Sequence, residues 1–286
     1  MCRFVLYQGP PLTLASLVID PTNSIINQSL RARESDDAIN GDGFGVAWYV
    51  PELSEEAGVF KSFTPAWSNQ NLIHLARVTR SRCVMAHVRA ATPGLSVSEL
   101  DCHPFTRGRF TFMHNGDVGG FSHIRRGVQQ RLSDRAFASI QGSTDSVHVF
   151  ALFLDHMWHS HITDPLQAMA ASLLRAVHDV QALQEAHHVR EFNYLNIAVS
   201  DGTQSVALRF TTDDPKHASS LYVHTGRKYV CDGNICRMVD PEKGQGAVLI
   251  SSEPLSDDPG WETVPVNHLV KVTKEQTVEI VEAKVA

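Results

Sequence analysis

Short strand-like runs crowd both ends of this 286-residue chain, and amphipathic helices fill its middle. Residues 3–7, 44–50, 59–63, 83–89 and 110–113 read as strands. Ser68 is expected to cap a helix that runs through Leu72, Leu75 and Val78. Ser143-Thr144-Asp145-Ser146 then opens a longer helix, with Val147, Phe150, Ala151, Leu154 and Trp158 spaced by threes and fours. Asp164-Pro165 starts another, since a capping carboxylate followed by proline suits a first turn; its apolar stripe is Leu166, Met169, Leu173, Leu174, Val177 and Val180. Strand patterns return at 195–199, 205–210, 221–223, 229–231, 247–250, 264–272 and 278–281, with tight turns at Asp201-Gly202-Thr203 and Asp232-Gly233-Asn234. Each sheet must bury one face, so this order predicts an α+β fold of two packed sheets covered by helices. No linker, repeat or low-complexity stretch divides it, and one domain over 1–286 is expected.

Composition narrows the function. The chain is 43% hydrophobic and 20% charged, within the range of ordinary globular proteins. A net charge of -6 argues against a nucleic-acid or membrane-surface partner. No apolar run reaches the ~18–20 residues of a membrane span, and the first residues do not form a signal peptide. A cytoplasmic location is therefore expected. The five cysteines form an odd, sparse set that does not resemble a disulfide framework; Cys231 and Cys236 flank a hairpin turn but have no second ligand pair for zinc. No metal site and no cofactor are expected. Of the fifteen histidines, His156, His159, His161, His187 and His188 stand on polar stretches and read as surface residues.

Cys2 carries the strongest chemical signal. Alone it reads as a buried strand cysteine. Removal of Met1, however, would leave it as the first residue, with a nucleophilic thiol and a free α-amine on the same residue. That amine titrates near ~7.7–8.0, close enough to the thiol at ~8.5 to exchange a proton with it at neutral pH. Five clusters follow: Asn40-Gly41-Asp42-Gly43-Phe44-Gly45, Ala86-His87-Val88-Arg89-Ala90-Ala91-Thr92, Cys102-His103-Pro104-Phe105, His114-Asn115-Gly116-Asp117 and Ser143-Thr144-Asp145-Ser146. They read as loops at strand ends, where side chains can gather around a nucleophile. The first lacks the lysine of a phosphate loop and reads as a glycine-rich turn near the pocket.

Cys2, Arg89 through Thr92, Asn115-Gly116 and Thr144-Asp145 occur in the order of the class II glutamine amidotransferases, which this chain resembles. Met1-Cys2-Arg3-Phe4, Ser24 to Ser29, Asn40 to Gly45, Thr64 to Leu72 and Ser251-Ser252-Glu253-Pro254-Leu255 further resemble the amidotransferase-type subunits of fungal glutathione-degradation complexes. The bacterial γ-glutamyl hydrolases of ergothioneine synthesis share the core motifs. The resemblance implies a four-layer αββα sandwich of the N-terminal-nucleophile hydrolase type. It also implies a set of roles. Cys2 attacks a γ-glutamyl carbonyl, Asn115 and Gly116 supply the oxyanion hole, and Arg89 holds the substrate carboxylate. Asp145 pairs with the substrate ammonium, and Thr92 supports the nucleophile or the carboxylate. His103 and His114 stand where they can line the pocket. Relatives often carry an acid where Val147 stands, so no second carboxylate is carried over. The substrate implied is glutathione, hydrolysed to glutamate and cysteinylglycine, and the partner implied is a metallopeptidase-like protein that holds any metal itself. Three alternatives stay open: a glutaminase that passes ammonia to a partner synthase, a γ-glutamyl hydrolase of ergothioneine-type synthesis, and a non-catalytic scaffold subunit.

Overall fold

A computed structural model describes residues 2–34, 39–91, 98–240 and 246–285. In chain order the elements are β1 (Arg3–Thr13), α1 (Ala15–Val18), α2 (Ile25–Leu30), β2 (Phe44–Trp48), β3 (Gly58–Ser62), α3 (Gln70–Val78), β4 (Arg80–Val88), β5 (Phe105–Arg107) and β6 (Phe110–Asp117). Then come α4 (Phe121–Arg131), α5 (Asp134–Phe137), α6 (Asp145–Trp158), α7 (Pro165–Ala186), β7 (Tyr194–Ser200), β8 (Ser205–Thr211), β9 (Tyr222–Gly226), β10 (Lys228–Asp232) and β11 (Ile235–Val239). The last are β12 (Ala247–Ser251), β13 (Glu262–Thr263), β14 (His268–Val272) and β15 (Val278–Glu282).

Two antiparallel sheets stack on each other. One has the order β13-β9-β12-β1-β4-β2-β3 and the other β15-β14-β8-β7-β6-β5. Alternation along each strand builds the layers. Phe4, Leu6 and Met85 of the first sheet meet Met113, Ala198 and Ala207 of the second between the sheets. Their neighbours Val5, Val84 and Ala86 point the other way, against Leu14, Leu17, Ile25 and Leu72 of α1 to α3. On the far side, Leu195, Ile197 and Leu208 pack against Val128, Phe153, Leu173 and Val177 of α4, α6 and α7. The result is the expected four-layer αββα sandwich of α+β class.

Capping chemistry explains the long helices. Asp164 accepts from Gln167 N at 2.8 Å, with Pro165 in the first turn of α7, and Thr144 caps α6. The cap of α3 is Asn69, which accepts from Leu72 N at 2.9 Å, and not Ser68, which lies in a preceding 3-10 turn. The strand expected over 264–272 is confined to β14, because residue 267 takes a positive φ that breaks the extended run. Asn115-Gly116 differs too: the pair lies inside β6, opposite Asn196 and Leu195 of β7, and not in a loop. Cys231 and Cys236 correct the reading of the cysteine set, since they are disulfide-bonded. The β10–β11 register puts them directly opposite, with Cα atoms 4.1 Å apart. No described helix is long and apolar enough to cross a membrane.

Candidate active site

Register gathers the candidate residues at one end of the sandwich. Arg3 of β1 pairs with Val88 of β4, which brings Cys2 alongside Arg89 just beyond the ladder. The Cys2 thiol lies 3.5 Å from Ala90 O, to which it donates, and accepts from Ala90 N at 3.4 Å. Cys2 shares the pleat face of Phe4, and Arg89 shares that of Met85, so both face the space between the sheets. Asn115 shares the face of Met113 on β6 and enters that space from the opposite sheet. His87 ties the two walls together, with Nε2 donating to the carbonyl of His114 at 3.1 Å.

The charges and open valences are uneven. Desolvation raises the Cys2 thiol pKa, while the Ala90 amide and the Arg89 and Arg3 guanidinium groups pull it back. Asn115 is fully buried, yet neither its Nδ2 nor its Oδ1 has a partner. Arg89 is buried and its Nη1 is likewise unpartnered. Buried polar groups are nearly always bonded, so these two unpartnered groups are candidates to bind a ligand. The Asn40 to Gly45 cluster braces this arginine. Arg89 N donates to Gly43 O at 2.8 Å, Asp42 N donates to Arg89 O at 3.0 Å, and Ala91 N donates to the Asp42 carboxylate at 2.8 Å.

Gly116 has φ +142°, and a Cβ there would lie 1.7 Å from the Tyr194 carbonyl oxygen. Only glycine fits, which leaves its backbone free of any side chain beside Asn115. Asp145 stands at the first turn of α6 with both oxygens engaged: Oδ2 accepts from Val118 N and Oδ1 from Ser146 N, each at 2.7 Å. It therefore locks the end of β6 to α6. Asp117, not anticipated as a site residue, is its neighbour; desolvation and then the Asp145 charge raise its carboxyl pKa although the residue is exposed. The only hint in the sequence was its place after Asn115-Gly116. Val147 is buried among the helix-side apolar residues.

His103 and His114 divide. The His114 ring is held by Ser146 Oγ at 2.9 Å and Tyr194 O at 3.2 Å, on the helix side of β6. His103 is buried between His87 and Phe105, with ring centroids at 4.4 and 4.2 Å, and neither of its nitrogens has a partner. Burial keeps both rings neutral, pushing His87 down to about 3 and His103 well below its ordinary value. Thr92 lies outside the described residues, as does Met1. Among the described residues no group of three or more His, Cys, Asp or Glu is placed to hold a metal ion. His159, His161, His187 and His188 are exposed, and His156 pairs with Asp179 at 2.7 Å.

Two stacked antiparallel sheets between helical layers, with a cysteine just before a central strand, beside an arginine and an Asn-Gly pair, define an amidotransferase-type enzyme of the N-terminal-nucleophile fold. The sequence profile described as "Glutamine amidotransferases class-II" matches residues 14–286, and the chain belongs to that family. It is 39% identical to the "Probable glutamine amidotransferase DUG3" of Saccharomyces cerevisiae over 296 residues, 96% of this chain and 82% of that protein. It is 28% identical to the "Gamma-glutamyl-hercynylcysteine sulfoxide hydrolase" of Mycolicibacterium smegmatis over 95% of this chain and 96% of that one. The solved structure of a glutamine aminotransferase class-II domain protein from Silicibacter pomeroyi superposes with a TM-score of 0.65 at 27% identity, covering 98% of this chain and 99% of the other.

Proposed function

We propose that this chain hydrolyses a γ-glutamyl amide bond through a Cys2 thioester, with glutathione as the favoured substrate and glutamate and cysteinylglycine as products. The observation that carries the reading is the pair of buried, unpartnered polar groups, Arg89 Nη1 and Asn115 Nδ2, on opposite walls of the space that Cys2 faces. In this reading Met1 is removed and the Cys2 α-amine accepts the thiol proton. The thiolate adds to the γ-carbonyl. The developing oxyanion takes hydrogen bonds from Asn115 Nδ2 and Gly116 N. Collapse expels the amine, which leaves with the proton held by the α-amine. Water then attacks the thioester, and glutamate is released as the thiol is restored.

Arg89 holds the substrate α-carboxylate by its planar fork. Thr92 supports the thiol or that carboxylate. Asp145, together with Asp117, supplies negative charge for the substrate ammonium. The names of the yeast and mycobacterial relatives support a γ-glutamyl or glutamine substrate. The whole chain, 1–286, acts as one catalytic domain in the cytoplasm, and the resemblance to subunits of fungal glutathione-degradation complexes implies a metallopeptidase-like partner. Glutamine hydrolysis with ammonia passed to a synthase is the second reading, favoured by the family profile.

The test is glutamate release by the purified chain, with glutathione and glutamine compared side by side and Cys2→Ala as the blank. Faster release from glutathione is the expected result. Faster release from glutamine would replace it with the amidotransferase reading. Release that survives Cys2→Ala would sink both.

A further inference from the structure

Two sequence features take no part in that chemistry: the arginine after the nucleophile and the Ser251-Ser252-Glu253-Pro254-Leu255 motif at the end of β12. They meet. Arg3 Nε donates to Glu253 Oε1 at 2.8 Å, and both side chains are only 1% exposed. A buried ion pair is often no more stabilising than apolar residues of the same volume, so stability alone does not account for this one. Its other bonds suggest what it does. Arg3 Nη1 donates to the carbonyl of Cys2, and Nη2 to the carbonyl of Glu34, each at 2.8 Å. The Glu253 carboxylate also accepts from Arg33 N at 3.0 Å, from Glu34 N at 3.0 Å and from Asn23 Nδ2 at 3.3 Å. Behind the pair, β12 is pinned to β1: Phe4 N donates to Ser252 Oγ at 3.1 Å and Ser252 N to Phe4 O at 3.0 Å.

Cys2 needs such a hold. The β1 ladder begins at Arg3, so no strand pairing orients the Cys2 peptide. Among the described residues, its thiol is otherwise positioned by two long sulfur contacts to Ala90. We infer that Arg3 and Glu253 are positioning residues: the carboxylate at the end of β12 holds the guanidinium, and the guanidinium holds the Cys2 carbonyl. This fixes the rotation that sets the thiol and the α-nitrogen against the substrate. The same carboxylate anchors residues 33–34, so that segment and the nucleophile are set from one point. The kinetic part of this inference rests on the proposed γ-glutamyl chemistry; the geometric part does not.

The charges of the pair cancel, which makes a clean test. The double variant Arg3→Met with Glu253→Leu keeps the net charge and removes the clamp, together with the Glu253 bonds to Asn23 Nδ2, Arg33 N and Glu34 N. Arg3→Lys keeps the charge and loses the fork. Each is measured by thermal melting, by kcat and KM for glutamate release, and by the pH profile of Cys2 alkylation with iodoacetamide, read by intact mass against Cys2→Ala. Misplacing a reacting group by ~1 Å costs about 10²-fold, so kcat is expected to fall by about that factor in the folded double variant, with KM nearly unchanged. The alkylation profile shifts, and Arg3→Lys moves in the same direction by less. A folded double variant with wild-type kcat and alkylation profile would make the pair merely structural. If the double variant does not fold, Arg3→Lys with normal melting and wild-type values on both readouts overturns the inference. If the wild type releases no glutamate from either substrate, the γ-glutamyl reading fails, while the alkylation profiles still decide the positioning role.

Discussion

Asn115 buries an amide with no partner, which costs about 1–3 kcal/mol for a neutral polar group. An enzyme keeps such a residue where the partner is the reacting oxygen. Asn115→Ala should therefore lower kcat by about 10²–10³ while the melting temperature stays level or rises, since the unpaired amide is gone. A large loss of stability with normal turnover would make Asn115 a packing residue. His87 gives a pH prediction. Its folded pKa is depressed to about 3 by burial, below an unfolded value near ~6.5. Between those values the unfolded chain binds a proton that the native chain does not. Its contribution is thus fully present above the unfolded value and is lost as pH falls toward the folded one, at a slope of about 1.4 kcal/mol per pH unit. His103, depressed in the same way, adds to the dependence, so denaturant melts from pH 7 to pH 4 should be steeper than one such slope, and His87→Gln should remove the His87 increment. Residue identities such as Cys2, Arg89 and Asn115 were legible in the sequence. Their unpartnered atoms were not, because whether a buried amide finds a partner depends on a strand from elsewhere in the chain.

At the scale of elements, α6 and β6 do two jobs each. Asp145 locks β6 to α6 through Val118 N and Ser146 N, and is also the proposed ammonium partner. Asp145→Asn keeps an acceptor oxygen and removes the charge. Hydrogen bonds to charged groups are worth about 1.5–3 kcal/mol, so KM should rise roughly 10- to 150-fold with the fold retained. An unchanged KM would leave Asp145 a purely structural link between β6 and α6. In β6, alanine at position 116 would drive its Cβ into the Tyr194 carbonyl. Gly116→Ala should cost at least the ~1–3 kcal/mol of a strained backbone and abolish turnover, seen as a lower melting temperature. Helices announced themselves through Thr144 and Asp164. Asn115-Gly116 did not announce itself as strand, since the pair favours turns and only pairing with β7 draws it into the ladder. The Cys231–Cys236 bond was hidden for a similar reason: the turn was visible, but the register that sets the two residues opposite was not.

Across the whole molecule, the α+β class followed from where strands and helices fall, but the neighbours of β1 did not. It lies between β4 and β12, whose partners are far off in sequence, and that insertion brings Arg89 and Glu253 to either side of Cys2. Cys2 therefore sits at the end of a central strand, with its carbonyl held by Arg3 and its thiol beside Ala90. Among the described residues, no histidine or carboxylate is bonded to the thiol. In the proposed mechanism that task belongs to the α-amine of Cys2 itself. A general base contributes typically ~10²–10⁴ in rate. Protein prepared with one extra residue before Cys2 should then fold and melt normally but lose turnover by that factor, and removal of the extra residue by an aminopeptidase should restore it. N-terminal sequencing alongside the glutamate-release assay makes the comparison. Full turnover by the extended chain would assign the proton to another group and leave the sandwich, the oxyanion pair and the Arg3 clamp in place around a different base.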